Sequence, residues 1–492
     1  MNSGNPTSIL RPCWFVGLSG HRHLKDPDAV GRLLHEVLTA LQEEMGGGLV
    51  GVSSIAIGAD TLFARALLSL SLPWRALLPS PPSEFRGDFE KQDWEIAEQL
   101  LAQAEEVVVR ANPSVKVEAY LECGMDTVDQ ADVLIAVWDE KPARGTGGTG
   151  EIVAYARGLK KPLVIVNPET LTVRREAFGE KPFLDPEMEY LNQLPDCASV
   201  PTGSAPGVPE NLLRFFAKID HMATLVAPNF RRWVASSIVM NTCATVLVAS
   251  TIVFALRLPL LDAVTFIMTA GAMGAVVYLK FRKVHAKWIQ CRVAAEICRT
   301  AIATWGFPLL VLPELANQAD FARLKASIRT LHLCSRPKEE PVLDSLRAEY
   351  IAHRLEDQLH YHQGRLRRLA SMRQRLIILF WFCSGFAVVR AVFIGLFGTI
   401  WLRPEVAHTL NHFVPLVLPC IAGCALALIS VFDFNRQLAR SREVESFLLI
   451  AREQAYASQS VRSLQRVVER AEWFLAREIS EWYTLSREPR YS

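Results

Sequence analysis

Asp132-Val133-Leu134-Ile135-Ala136-Val137-Trp138, followed by Gly145-Thr146-Gly147-Gly148-Thr149-Gly150-Glu151 and the amphipathic run Ile152 to Leu159, reads as a strand, a glycine-rich turn and a helix. Glycines without a Cβ let backbone N–H groups point into one concave turn, and the helix that follows adds its free N–H groups and the positive end of its dipole. Such a turn suits a phosphate. A flexible surface loop has the same composition, but the position between strand and helix favours the phosphate reading.

The pattern extends outward from there. Cys13 to Leu18, Val50 to Ile57, Trp74 to Leu78, Glu106 to Val109 and Leu163 to Val166 are further apolar strands. Between them lie helical stretches, the first with Val30, Leu33, Leu34, Val37, Leu38 and Leu41 on one face. Thr61 to Leu70, Phe89 to Ala104 and Ala119 to Val128 supply the others. Strands apolar on both faces and alternating with helices predict an α/β Rossmann-like domain with a parallel sheet covered on both sides.

Ligands of such sheets bind beyond the carboxyl ends of the strands. The candidate site therefore comprises Ser19, Gly20, His21 and Arg22 after the first strand, Gly58 and Asp60 after the second, and Glu84 and Arg86 after the third. Asp139, Lys141, Arg144, Gly147, Gly148, Thr149 and Glu151 follow the strand at 132–138. Arg22, Lys141 and Arg144 on one edge fit a phosphorylated ligand. Each residue also has a plainer reading: Ser19 and Asp60 are good helix caps, and the cations would sit equally well on a solvated surface.

Composition bounds the rest. The 492 residues suggest two to four domains. With 50% hydrophobic residues, 21% charged residues and a mean hydropathy of +0.17, the chain is too apolar for a wholly soluble protein of this size. A net charge of +2 argues against a nucleic-acid-binding surface. The 10 cysteines show neither C-x-x-C nor zinc-finger spacing, so no metal, cofactor or disulfide framework is expected. The polar opening residues do not read as a signal peptide, which places the first domain in the cytoplasm.

The runs Val16 to His23 (VGLSGHRH), Ala56 to Leu62 (AIGADTL) and Ala136 to Glu151 (AVWDEKPARGTGGTGE) resemble the SLOG superfamily of Rossmann-like nucleotide-binding domains, which includes the LOG phosphoribohydrolases and DprA-type proteins. The resemblance covers about the first third of the chain. Its loop, Gly147-Gly148-Thr149-x-Glu151, is shorter than the family's G-G-x-G-T-x-x-E. The family's loop glutamate assists N-glycosidic cleavage in its enzymatic members, which makes Glu151 the candidate catalytic residue if this chain is an enzyme.

Residues 1–169 thus form the nucleotide-binding domain, and 170–211, rich in proline, a linker. Four apolar runs follow, Val234 to Leu256, Leu260 to Leu279, Leu376 to Leu402 and Phe413 to Phe432, each about the ~20 residues that cross a bilayer. They predict an α-helical membrane domain with four transmembrane helices, as a first hairpin with a cytoplasmic helix (212–305), a connecting segment (306–346) and a second hairpin with a long C-terminal helix (347–492). Arg231 and Arg232, then Lys280, Arg282 and Lys283, then Arg365, Arg367, Arg368, Arg373 and Arg375, and finally Arg436, Arg440 and Arg442 flank the spans on one side, which is then cytoplasmic. Arg390, inside the third run, is expected either in the bundle interior or snorkelling to an interface.

Both hairpins carry charged extensions. Trp288-x3-Arg292-x3-Glu296-x2-Arg299 puts Arg292 and Glu296 one turn apart, Tyr350-x3-Arg354-x2-Asp357-x3-Tyr361 leads into the third run, and one long helix from Gln437 to about Trp482 leaves the fourth. Charged helices this long must find partners, in the chain or in a second subunit, so a homo-oligomer is expected. These spacings and the hairpin plan resemble the SLATT group of membrane effectors associated with SLOG sensors and SMODS nucleotidyltransferases. The resemblance implies a bacterial inner-membrane protein of antiviral defence that senses a nucleotide second messenger from a cognate synthase and forms a pore or disrupts the bilayer. A membrane-tethered nucleotide hydrolase and a nucleotide-regulated transporter are the competing readings.

Overall fold

The computed structural model describes residues 8–46, 48–110, 116–142, 146–180, 183–197, 207–256, 258–281, 284–314, 320–335, 341–400 and 402–487. Arg144 and Gly145 of the loop, and Arg282 and Lys283 of the second basic cluster, lie outside them. The chain divides into two units.

In the first unit the order along the chain is β1 (Trp14–Gly20), α1 (Pro27–Glu44), β2 (Leu49–Ser53), α2 (Ala59–Ser69), β3 (Trp74–Leu78), a single turn α3 (Pro82–Phe85), α4 (Lys91–Leu101), β4 (Glu106–Val109), α5 (Lys116–Gln130), β5 (Val133–Val137), α6 (Thr149–Gly158), β6 (Leu163–Asn167), β7 (Thr172–Glu176) and α7 (Pro186–Asn192). The strands form one sheet in the order β4-β3-β2-β1-β5-β6-β7, parallel throughout except for β7. β2, β3 and β5 are buried along their whole length, as strands covered on both faces must be. α1 begins where Asp26 caps Ala29 N–H ahead of Pro27, and it buries Val30, Leu34, Val37, Leu38 and Leu41 against the sheet.

This is the Rossmann-like architecture expected, with differences at its margins. β7 falls in the stretch read as linker. Its sequence, Thr-Val-Arg-Arg-Glu, has no apolar period because it is an edge strand facing solvent, and it is turned back on β6 by Asn167, whose Oδ1 accepts from Glu169 N–H and Thr170 N–H. α7 also packs here, with Asn192 exchanging two hydrogen bonds with the backbone of Leu10 (3.0 and 2.9 Å).

A later helix completes the unit. After α8 (Glu210–Val253), α9 (Pro259–Phe281) and α10 (Val284–Ala303), the chain returns as α11 (Ala322–Ser335), which belongs to the α/β unit although it lies in the stretch read as a connecting segment. Arg323 makes a forked pair with Asp132 (2.7 and 2.8 Å), donates to the Cys13 carbonyl and stacks 3.8 Å from the Trp14 ring centre. Cys13 N–H donates to Ser327 Oγ at 2.9 Å. α11 therefore holds β1 and β5 at their amino ends.

The second unit is helical. Beyond α10 come α12 (Leu343–Tyr350), a π-helical turn at 351–356, α13 (Asp357–Phe397), α14 (Pro404–His408), a second π-helical turn at 409–413, α15 (Val414–Phe432), α16 (Phe434–Ala457) and α17 (Val461–Arg487). Among the described residues four helices are long and apolar enough to cross a membrane, Trp233–Val253, Pro259–Tyr278 and the continuous helical stretches Leu343–Phe397, which holds most of the third apolar run, and Pro404–Ala457, which holds the fourth. The third ends at Phe397, short of the expected Leu402, because Gly398 takes a φ of +65° and caps it. Phe266, Ile267, Val388 and Val389 on these helices are exposed, the arrangement for side chains that face hydrocarbon instead of a protein core.

One further expectation is narrowed and one is corrected. Arg390 turns to the neighbouring helix, its Nη2 3.4 Å from Asn411 Oδ1 in the second π-helical turn. The expected single helix from Gln437 to Trp482 is a hairpin of α16 and α17. It breaks at Ser458, and Ser460 caps the second helix by accepting from Ser463 N–H.

Candidate functional site

Running outward from β1, the chain lays β2, β3 and β4 on one side and then returns to place β5 on the other. The order reverses between β1 and β5, and at such a switch point the loops after the two strands diverge and leave a crevice. A cleft of about 960 Å³ lies there.

One wall is the turn after β1. His21 N–H donates to the Val137 carbonyl at 3.1 Å, which ties this turn to the end of β5. Gly20 is obligatory, since a Cβ there would stand 2.4 Å from the Ala59 Cβ. Gly58 has φ +88°, and its Cβ would lie 2.3 Å from the Arg22 carbonyl oxygen. The S-G-H-R and G-A-D stretches thus pack against each other. Gly58 supports the turn from behind and does not line the cleft.

Asp60 lies at the floor, buried at the start of α2, where its Oδ1 accepts from Ser53 Oγ (2.8 Å) and Ser54 Oγ (3.0 Å). Burial pushes its carboxyl up to about 6 against the pull of those hydroxyls. Asp60 is the second residue of α2, whose cap is Gly58, so the plainer reading of Asp60 as the helix cap does not hold.

The opposite wall is the glycine loop. Thr146, Gly147, Gly148, Thr149 and Gly150 all line the cleft. Gly147 has φ +79°, and Thr149 begins α6 with Gly148 as its cap. The first turn of α6 opens on the cleft, where its N–H groups have no intrahelical partners. Glu151 does not line the cleft: its Oε2 accepts from Gly147 N–H at 2.7 Å. This carboxylate braces the loop and takes one of its donors, leaving Gly148, Thr149 and Gly150 for an anion.

Of the expected cations, Arg22 and Lys141 both line the cleft. The Arg22 guanidinium lies over the Tyr120 ring, 5.1 Å from its centre. The Lys141 ammonium is held by Glu169 Oε1 (2.8 Å) and Asp139 Oδ2 (3.3 Å), and the Glu169 hydrogen bond, seconded by Asp139, raises its pKa. Glu84 and Arg86, in the turns after β3, do not line the cleft; Asp88, two residues on, does.

Sequence reasoning missed several lining residues. Tyr120, whose hydroxyl donates to Asp88, sits in a helix whose apolar period read as core. Asp139, already a candidate in the turn after the strand at 132–138, meets His21 Nε2 at 3.0 Å, a pairing the sequence did not indicate. Burial works to raise the Asp139 pKa, but the Lys141 N–H and His21 overcome it and hold it below the ordinary value. His21 thereby has the oriented geometry of an acid–base group. Among the described residues no group of three or more His, Cys, Asp or Glu could hold a metal ion. Comparison with protein-family models and with curated proteins finds no match.

A second polar constellation occupies the helical unit. Arg354, in the first π-helical turn, donates from Nε to Glu472 Oε1 (2.8 Å) and from Nη2 to Glu472 Oε2 (2.6 Å) and Glu296 Oε1 (2.9 Å). Tyr350 Oη (2.8 Å) and Thr300 Oγ1 (2.9 Å) also donate to Glu472. Arg354, Glu472 and Glu296 are 2%, 1% and 6% exposed, so three charges are sealed among α10, the α12–α13 junction and α17. The Glu296 partners are Arg354 and Arg299; Arg292, expected to pair with it, adds only a more distant attraction. Burial would raise the Glu296 carboxyl, but Arg299 and Arg354 lower it to about 2.

Proposed function

We propose that this chain is a membrane effector that takes a nucleotide-derived ligand in the cleft of its α/β unit and responds through its four-helix portion by forming a pore or disrupting the bilayer. The observation that carries the reading is the cleft itself. It sits at the switch point of the sheet, with the N–H groups of a glycine turn and helix start on one wall and an arginine–tyrosine stack on the other. Four helices of membrane-crossing length in the same chain supply the responding part.

Phosphate would lie at the Gly148–Gly150 turn, and a flat base or ribose would reach toward Arg22 and Tyr120. The basic clusters favour a topology with the α/β unit and the C-terminal helices in the cytoplasm of a bacterial cell. The SLOG and SLATT resemblances favour antiviral defence, a homo-oligomeric assembly and a cognate messenger synthase. Dye leakage from liposomes holding the full chain tests this directly. Leakage must follow addition of small molecules extracted from the protein as isolated and identified by mass spectrometry, and must fall in Gly148→Asp. Leakage independent of any ligand contradicts the reading.

The His21–Asp139 pair favours a second reading, a membrane-tethered hydrolase in which His21 rather than Glu151 moves the proton. Steady consumption of a nucleotide, lost in His21→Ala, would select it.

A further inference from the structure

α13 and α16 run side by side and antiparallel. Gln363 Nε2 donates to Glu445 Oε1 (3.0 Å) and Arg365 Nη2 to Gln437 Oε1 (3.1 Å). Just below this pair of contacts both helices approach the third and fourth apolar runs, and there five arginines stand against one nearby carboxylate, Asp433, at the end of α15. Arg367, Arg368, Arg373 and Arg375 belong to α13, and Arg436 follows the end of α15. No carboxylate occurs in the sequence between Asp357 and Glu405.

Several arginines elsewhere in the chain are matched, Arg354 to Glu472 and Glu296, Arg452 to Glu356, Arg157 to Glu176, Arg323 to Asp132. Among the described residues none of these five makes an ion pair. Arg373 Nε is buried without a hydrogen-bond partner, but so are single nitrogens of the paired Arg323 and Arg452, so what sets the five apart is charge that something other than a carboxylate must balance.

Height along the helix says what. At about 1.5 Å per residue, Arg375 adjoins Leu376 at the start of the apolar run, Arg373 stands about 4.5 Å before it, and Arg436 lies about 6 Å beyond Phe432. The headgroup layer outside the hydrocarbon is about 5–7 Å deep on each side. Arg373, Arg375 and Arg436 therefore lie at the depth of lipid phosphates, with Arg367 and Arg368 a further two turns out. A guanidinium fork matches a phosphate better than an ammonium does, and all five are arginine.

We propose that the α13–α16 face at the ends of the third and fourth runs is a binding site for anionic phospholipid headgroups, with Arg373, Arg375 and Arg436 contacting phosphate and Arg367 and Arg368 adding long-range attraction. It rests on the four helices crossing a bilayer and is independent of what the cleft binds. Anionic lipid would complete the charge balance of the second hairpin.

The test uses full-length protein in dodecyl maltoside micelles supplied with equimolar POPC and POPG, the lipid retained after gel filtration being quantified by mass spectrometry. An arginine near an anionic surface contributes about a fivefold preference. Wild type should retain POPG over POPC by at least about tenfold at low salt, falling toward parity in 0.5 M NaCl as screening shortens. Arg373→Gln/Arg375→Gln/Arg436→Gln should bring the ratio to within about twofold of unity, and the triple lysine variant should keep part of the preference, which separates charge from damage to the fold. Equal retention of the two lipids by wild type, or an undiminished preference in the glutamine variant, overturns the proposal. Displacement of POPG by sodium phosphate beyond that by sodium chloride at equal ionic strength would place a free anion there and also overturn it. Protein that takes up neither lipid and stays soluble without detergent would defeat the membrane reading as well.

Discussion

Arg22 and Arg354 both stand in stretches that the sequence marks out, and the two units use them oppositely. Arg22 lies over Tyr120 at the wall of an open cleft, its charge available to whatever enters. Arg354 is sealed among Glu472, Glu296 and Tyr350, with its attraction spent inside the protein. The α/β unit leaves charge exposed at the carboxyl edge of its sheet. The helical unit closes charge away where three helices meet, so its network specifies how they pack. A buried ionic cluster is weak support for stability as such, because desolvation offsets most of the attraction, but it penalises any arrangement that separates its members.

The contrast is easiest to break at Arg354. Arg354→Ala leaves Glu472 and Glu296 buried without their cation and should cost about 3–5 kcal/mol, read as a large fall in the thermal midpoint of the helical unit followed by far-UV circular dichroism. A fall no larger than that of an exposed arginine would show that water already reaches the cluster. Burial opposes the charge on Arg354, but Glu472 and Glu296 prevail and raise its pKa, so no accessible pH removes this charge.

Acid should separate the units by sign. Glu296 is held at about 2 against an ordinary 4.5, so the stability it contributes is complete above about pH 4.5 and is lost as pH falls toward 2. The full effect is about 3 kcal/mol. Asp60 is raised from 3.8 to about 6, so its contribution is complete below pH 3.8 and is lost as pH rises through 6. Asp60→Asn should therefore stabilise the α/β unit by about 2 kcal/mol at pH 8 and do little at pH 4. Melting curves at the two pH values check it. Destabilisation at pH 8 would mean that the Ser53 and Ser54 bonds need the carboxylate.

Smaller effects are expected at the rim. Gly58→Ala forces a Cβ against the Arg22 carbonyl at a positive φ, at a cost of about 1–3 kcal/mol with loss of ligand affinity, since the S-G-H-R turn must move. Lys141→Gln, at an exposed ion pair, should leave the melting midpoint unchanged within error. A clear drop would put Lys141 among the structural charges instead.

How much of this was legible follows from the same physics. The inner parallel strands were readable because burial on both faces demands unbroken apolar runs, β4 because Val107, Val108 and Val109 are apolar although this edge strand is exposed, and the glycine turn because it stood between a strand and a helix. β7 was not, since this edge strand, facing water, carries no such run. α11 is amphipathic, but its period cannot say which unit its apolar face will meet; only the Arg323–Asp132 fork does. Glu296, Tyr350, Arg354 and Glu472 were all marked by spacing, whereas their convergence came from pairing helices far apart in sequence. Glu151 and Arg86 were also chosen by position after strands, but the Gly147 N–H engages Glu151 and the lining residue is Asp88, two beyond Arg86; His21 and Asp139 were marked by position, and only their pairing was not.

The central claim is that the cleft between β1 and β5 binds a phosphorylated nucleotide through the Gly148–Gly150 turn. Isothermal titration calorimetry of the full-length protein in detergent against ADP-ribose, ATP and cyclic dinucleotides measures it most directly. The account predicts saturable binding of at least one of these, weakened at least about tenfold by Gly148→Asp, where a carboxylate would meet the N–H groups meant for phosphate, and by Arg22→Ala, which removes the cation opposite. Binding of none of them by wild type, or equal binding by Gly148→Asp, would contradict it.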